Sequence, residues 1–101
     1  MRIVVKKVGQ MGEIMEVENT LDTFQEIVGG YIETYPIMTD TLIVCNEEGK
    51  LMGLEPNVII QVGEYKELIN GNFAIVKQGE EDFESLDDEQ IDRLRKSGLI
   101  R

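Results

Sequence analysis

Two rhythms of apolar and polar residues run along the chain. The first is the short, β-branched run. Arg2-Ile3-Val4-Val5-Lys6-Lys7-Val8 reads as a first strand. Gly9-Gln10-Met11-Gly12 breaks it, and Glu13 to Glu18 alternates only in part, as a short strand or an extended lead-in. Tyr31 to Tyr35 is another strand. Pro36 lacks an N–H, so this strand belongs at an edge or at the end of pairing. After a turn at Thr39-Asp40, Thr41-Leu42-Ile43-Val44-Cys45 is apolar almost throughout, as a strand buried on both faces would be. Asn72 to Lys77 repeats that character after the turn dipeptide Asn70-Gly71. Between Leu51 and Asn70 the pattern is ambiguous: Pro56-Asn57 marks a turn, and Val58 to Val62 fits a strand or a short helix.

The second rhythm is helical. Leu21, Phe24, Ile27 and Val28 share one face of a helix over about 20–28, with Asn19 as its N-cap and Gly29-Gly30 as its left-handed stop. A second helix over about 86–97 carries Asp87, Asp88 and Glu89 at its amino end and Arg93, Arg95 and Lys96 at its carboxyl end, which suits the macrodipole. Ser85-Leu86-Asp87-Asp88 resembles a capping box, and Gly98 is placed to terminate. Its apolar stripe, Ile91 and Leu94, is narrow, so this helix belongs at the surface. The fold class expected is α+β: a small, mostly antiparallel sheet of about four or five strands, one core-packed helix and one C-terminal surface helix.

Composition narrows the picture. At 101 residues and 42% apolar content, one domain over 1–101 with a true core is expected. No apolar run is long enough to span a bilayer, and the first residues lack a signal peptide's apolar stretch, so a cytoplasmic location is expected. The single cysteine agrees with that. The formal charge of −10 is concentrated. Eight acids and no base lie between Gln78 and Asp92, leaving twelve acids against ten bases elsewhere. This acidic segment, which begins with a linker at about 78–85, disfavours direct contact with nucleic acid or an anionic membrane and favours a protein partner with a basic surface.

Most candidate chemistry fails on residue identity. Val44-Cys45-Asn46-Glu47-Glu48-Gly49-Lys50 ends like a phosphate loop, but the first glycine of that motif is Val44 here and Leu51 follows the lysine. A hairpin turn, with Gly49 left-handed and the carboxylates in water, is the simpler reading. Gly29-Gly30 sits at the wrong end of a helix dipole for an anion. No histidine is present, which removes His-dependent triads and zinc sites. Cys45 lies in an apolar strand without a nearby base and reads as a buried thiol. A calcium loop beginning at Glu80 would need glycine where Ser85 stands. Glu33, Glu47 and Glu48 would form an acid pair only if strands bring them together. The five methionines fit core filling or an adaptable contact surface.

Three segments taken in order, "NTLDTFQEIVGGYIE" (Asn19 to Glu33), "VCNEEGKL" (Val44 to Leu51) and "INGNFAIV" (Ile69 to Val76), resemble a family known only as a domain of unknown function, number 3846. Asn57 lies between the last two. The family occurs in phages, plasmids and integrative elements of Firmicutes and their relatives. The resemblance covers nearly the whole chain. Its recurrent positions map onto Leu21, Gln25, Val28, Gly29, Gly30, Ile32, Glu33, Asn46, Glu47, Gly49, Lys50, Asn57 and Gly71. Members often carry Asn-Arg near Asn57, where this chain has Val58.

The expectation is therefore a non-enzymatic binding or accessory protein of a mobile element, needing no cofactor and no metal, that inhibits a host defence protein through an acidic surface. Its partner-binding candidates are Gln25, Glu33, Asn46, Glu47, Lys50, Asn57, Glu80, Glu81, Asp82 and Glu84. One alternative is a small-ligand, nucleotide-like binder with a pocket between Gln25, Glu33 and the turn from Asn46 to Lys50. The other is a carboxylate-based hydrolase.

Overall fold

The computed structural model describes residues 1–101. It is α+β, with an antiparallel main sheet of six strands and a separate two-stranded hairpin. Strands β1 (Arg2–Lys6), β2 (Glu13–Glu16), β3 (Ile32–Met38), β4 (Thr41–Asn46) and β7 (Phe73–Gln78) lie in the order β2-β1-β7-β4-β3, and β8 (Phe83–Glu84) pairs with β7. Strands β5 (Pro56–Val62) and β6 (Tyr65–Asn70) form the hairpin. Helix α1 is Leu21–Val28 and α2 is Asp88–Ser97. The strand content exceeds the expected four or five because β6 and β8 were not foreseen and β2 and β5 were left open as strands.

Alternation along the strands divides the core in two. On one face Ile3, Val5, Leu42, Val44, Ala74 and Val76 meet Phe24 of α1. Phe83 closes that layer, its ring edge-on to Phe24 at 5.2 Å between centroids. On the other face Val4, Ile43, Cys45, Phe73 and Ile75 meet Ile60 and Ile69 of the hairpin, Ile91 and Leu94 of α2, and Leu86 and Ile100. Every residue of β4 is buried, as its continuous apolar run requires of an interior strand. Pro36 lies in β3, the strand at one edge of the sheet, where a missing N–H costs no ladder bond. At the other edge β2 is wholly exposed, and its flanking Glu13 and Glu16 discourage pairing with another chain.

Three local expectations are corrected. The N-cap of α1 is Thr20, whose hydroxyl accepts from the Thr23 N–H. Asn19 instead donates its amide to the Phe83 carbonyl. Helix α2 begins at Asp88, not 86, and its capping box is Asp87 with Gln90; Ser85 accepts from the Arg2 N–H. The acidic segment 78–85 is not a bare linker, since Phe83 and Glu84 form β8 against Gln78 and Lys77. The helix stops at Gly29 and Gly98 are as expected.

Helix α2 is a surface helix held by a narrow stripe, and one polar side chain anchors it. Gln90 is buried, accepts from the Asp87 N–H, and donates to the Asp40 carbonyl and the Thr41 hydroxyl. Those bonds tie α2 to the turn between β3 and β4. Losing them leaves buried partners without a bond, which costs more than the bond itself contributes. Gln90→Ala should therefore lower stability by about 2 kcal/mol in urea unfolding, with little change in the slope of the transition.

Candidate functional site

The hairpin lies across the second face of the sheet, over β3 and β4, and does not cover the seam completely. A cleft of about 340 Å³ remains between Glu33 and Tyr35 of β3, the segment from Cys45 to Leu51, and Leu68 to Asn70 of β6. Register brings its wall together. Glu33 is the cross-strand partner of Cys45, and Tyr35 follows Glu33 on the same face. From the hairpin, Glu67 pairs with the buried Ile60 and therefore points inward.

The segment after β4 is built by Asn46. This side chain is only 6% exposed. Its Oδ1 accepts from the Glu48 N–H at 2.8 Å, and its Nδ2 donates to the Val28 carbonyl at the end of α1 at 3.0 Å. The Tyr31 carbonyl holds the Glu47 N–H. The expected hairpin is not present here: β4 pairs with β3 and β7, so residues 47–55 pass from the sheet to the separate β5–β6 hairpin. Gly49 is not the left-handed residue; Gly53 is, at φ +70°. Glycine is needed at 49 for space, since a Cβ there would stand 3.0 Å from the Asn70 carbonyl oxygen.

Negative charge dominates the cleft. The Tyr35 hydroxyl donates to Glu67 Oε1 at 3.0 Å. Hydrogen bonding with Glu33, then burial, then Glu67 push the pKa of this phenol well above its ordinary value. Two carboxylates thus compete for one proton, and the geometry awards it to Glu67. Lys50 also turns to Glu67, at 3.4 Å. Burial, reinforced by Glu33 and Glu67, pushes the Cys45 thiol up to about 12, with Lys50 opposing weakly. At neutral pH the thiol is neutral and enclosed, the opposite of a nucleophile's setting. Asn70 adds one more acceptor: its amide donates to the Leu54 carbonyl, while its Oδ1 is enclosed and has no donor in the protein.

Of the sequence-predicted residues, Glu33, Asn46, Glu47 and Lys50 meet in this cleft. Asn46 serves it structurally, through its bonds to the backbone. Gln25 does not line the cleft; its carbonyl accepts from the Gly29 and Gly30 N–H groups at the end of α1. Asn57 is a brace, joining Lys6 and the Gly71 carbonyl. Glu80, Glu81 and Asp82 line a separate, more open depression beside Leu42 and Phe83, and Glu84 stands opposite Lys77 in β8. Tyr35, Glu67 and Asn70 were not anticipated. Tyr35 shares the period-two register of Glu33, which is a usable signal; Glu67 and Asn70 fall in the segment whose pattern was ambiguous. No cluster of three or more Cys, Asp or Glu side chains is arranged to hold a metal ion. No helix is long and apolar enough to cross a membrane.

The sequence model of a family described as a domain of unknown function (DUF3846) matches residues 1–98. The chain belongs to that family. No curated protein and no solved structure matches it. For this DUF3846 chain the family gives kinship along almost the whole length, and the cleft lies wholly within the matched residues.

The thiol reports on the closure of the seam. A thiol-specific reagent at pH 8 should leave Cys45 unmodified in the native protein and label it fully in denaturant, since only 3% of the residue is exposed. The thiol's pKa in the folded protein lies above its ordinary value of 9.0. Its contribution to stability is therefore complete below pH 9.0 and is lost between there and about 12, as the unfolded thiol ionises and the folded one does not. Denaturation midpoints should fall on raising the pH from 8 to 10, and Cys45→Val should flatten that fall.

Proposed function

We propose that this DUF3846 protein is a non-enzymatic binding module that engages a protein partner bearing a basic surface, and that the cleft at the β3–hairpin seam is its contact point. The observation that carries this reading is the convergence of Glu33, Glu47 and Glu48 on one cleft with Lys50 as the only cation lining it, and with Glu67 beside it, bonded to Tyr35 and Lys50. Such a cleft attracts positive side chains and repels phosphate. Leu51, at its mouth and 87% exposed, offers an apolar contact beside the charge. The mobile-element context that the resemblance implies supports an accessory role in inhibiting a host defence protein, and the short apolar runs and single cysteine support a cytoplasmic location.

Two alternatives are weaker. A nucleotide-like ligand meets the wrong charge, and about 340 Å³ is at the lower end of the ~300–1,000 Å³ usual for small-molecule pockets. A carboxylate hydrolase gains from Glu33 and Glu47 sharing the cleft. However, Glu47 is exposed, and acid catalysis by a carboxyl depends on sheltered surroundings. The neighbouring thiol and phenol hold their protons.

The two acidic surfaces can be separated by affinity capture from host cells at graded salt. A partner should be recovered with the wild-type protein and with a variant neutralised at Glu80, Glu81, Asp82 and Glu84. It should be lost with Glu33→Gln/Glu67→Gln. Recovery that instead depends on the 80–84 segment, or on neither surface, overturns the assignment of the cleft.

A further inference from the structure

Strand β2 lies at an open edge of the main sheet, and its bonding pattern shows what that edge offers. The Met1 amino group donates to the Val17 carbonyl and the Val17 N–H to the Met1 carbonyl, each at 2.9 Å. Antiparallel alternation then turns the backbone groups of Met15 and Glu13 toward β1 as well, opposite Ile3 and Val5. The N–H and C=O groups of Ile14 and Glu16 point the other way, off the sheet. Gly12 shares their parity, and its N–H donates outward to the Leu99 carbonyl at 2.7 Å. There Ile100 pairs with Gly12 in parallel. The segment passes so close that a Cβ on Gly12 would stand 2.9 Å from the Leu99 oxygen. The next bond of that ladder would join the Ile14 N–H to the Arg101 carbonyl, but this carbonyl accepts from Arg95 Nε at 2.8 Å instead. The edge thus begins a further strand and then leaves its remaining rungs vacant.

We infer that this edge takes one extended segment of a partner protein, added as a further strand, in which two apolar residues are flanked by two bases. The backbone of such a segment completes the vacant rungs. Its side chains are prescribed by β2, which reads Glu13-Ile14-Met15-Glu16. Ile14 and Met15 are exposed on opposite faces of the sheet, beside Val4 and Ile3. Apolar residues level with them extend both faces of the core outward. Glu13 and Glu16 stand at either end, and cross-strand pairs of opposite charge are favourable. A second copy of the chain is a poor occupant, since its edge carries the same glutamates on a protein of charge −10. The glutamates that discourage indiscriminate pairing therefore select by charge. The chain's own docked segment has the matching character, since Leu99 and Ile100 are followed by Arg101. This edge is at the opposite end of the sheet from β3, so the inference does not rest on the cleft.

The test is an amide-shift and hydrogen-exchange titration of the whole isotope-labelled protein with three short capped peptides. One carries Lys-Val-Val-Lys, the second Glu-Val-Val-Glu, and the third is the first with those four amides methylated. In the free protein the Ile14 and Glu16 amides should exchange faster than those of Met15 and Val17. The lysine peptide should shift the amides of residues 13–16 and slow exchange at Ile14 and Glu16. The glutamate and methylated peptides should each bind about tenfold more weakly. Ile14→Pro removes an outward N–H without taking a bond from β1, and it should abolish binding. Glu13→Lys/Glu16→Lys should reverse the preference, so that the glutamate peptide binds about tenfold better than the lysine peptide. If either variant fails to fold, the methylated peptide and the exchange rates of the wild-type protein still decide the matter. Equal binding of the three peptides, unchanged exchange at Ile14 and Glu16, or no shift at millimolar peptide overturns the proposal. Shifts confined to Glu33 and the Asn46 to Lys50 segment overturn it too, while leaving the cleft reading in place.

Discussion

The structure depends on a sheet whose interior strands are apolar on both faces. Ile43 and Val44 in β4, and Ile75 and Val76 in β7, point to opposite sides and are fully buried. Burying each such side chain contributes about 1.5–3 kcal/mol, so neither face can be left to water. One face is covered by α1 and its neighbours. The other is covered in pieces, by the β5–β6 hairpin, α2 and the segment ending in Ile100. A cover made of pieces has seams, and the candidate site is one of them. Its location thus follows from how the core is closed. The apolar floor that makes Cys45 inert is the same floor that leaves Glu33 and Glu67 half-sheltered from water.

The sequence was legible where one physical requirement acted alone. The unbroken run of β4 demands two-sided burial, and Gly29 ends α1 after a clear apolar face. It was illegible where two residue choices satisfy the same requirement. Asn19 and Thr20 can each cap a helix, and the tertiary bond from Asn19 to Phe83 decides between them. Ser85 and Asp87 stand in the same relation at α2, where the Arg2 N–H claims the serine. Strand β6 escaped notice because its inward positions include Glu67, so the usual apolar alternation is broken at the residue that holds Tyr35 and Lys50.

For the site, the sequence located half of the constellation. The turn after β4 and Glu33 were visible because they carry recognisable residue types at a strand end. Their meaning changed with the geometry. Asn46 builds the loop through its bonds to the backbone, and Gly49 gives room to the Asn70 backbone instead of adopting a left-handed turn. The acidic run at 80–84, the most conspicuous feature of the composition, lies apart from the cleft. Carboxylates placed over an apolar floor have more chemical consequence than as many in open solvent, because water screens the latter.

The strand order also bears on how the chain reaches this state. Strand β1 lies between β2 and β7, and its Val4 pairs with Ile75. The early hairpin of β1 with β2 therefore has one edge that stays vacant until a strand from the far end of the sequence arrives. The same distant arrival joins β1 to β4, which pairs with β7 on its other side. Closing such a loop loses chain entropy before any burial compensates for it. Folding should accordingly be governed by the capture of β7, at the slow pace typical of sheets rich in distant pairings. Until that capture β1 and β4 each keep an apolar edge unpaired, and the rim glutamates of β2 guard only the far side of β1.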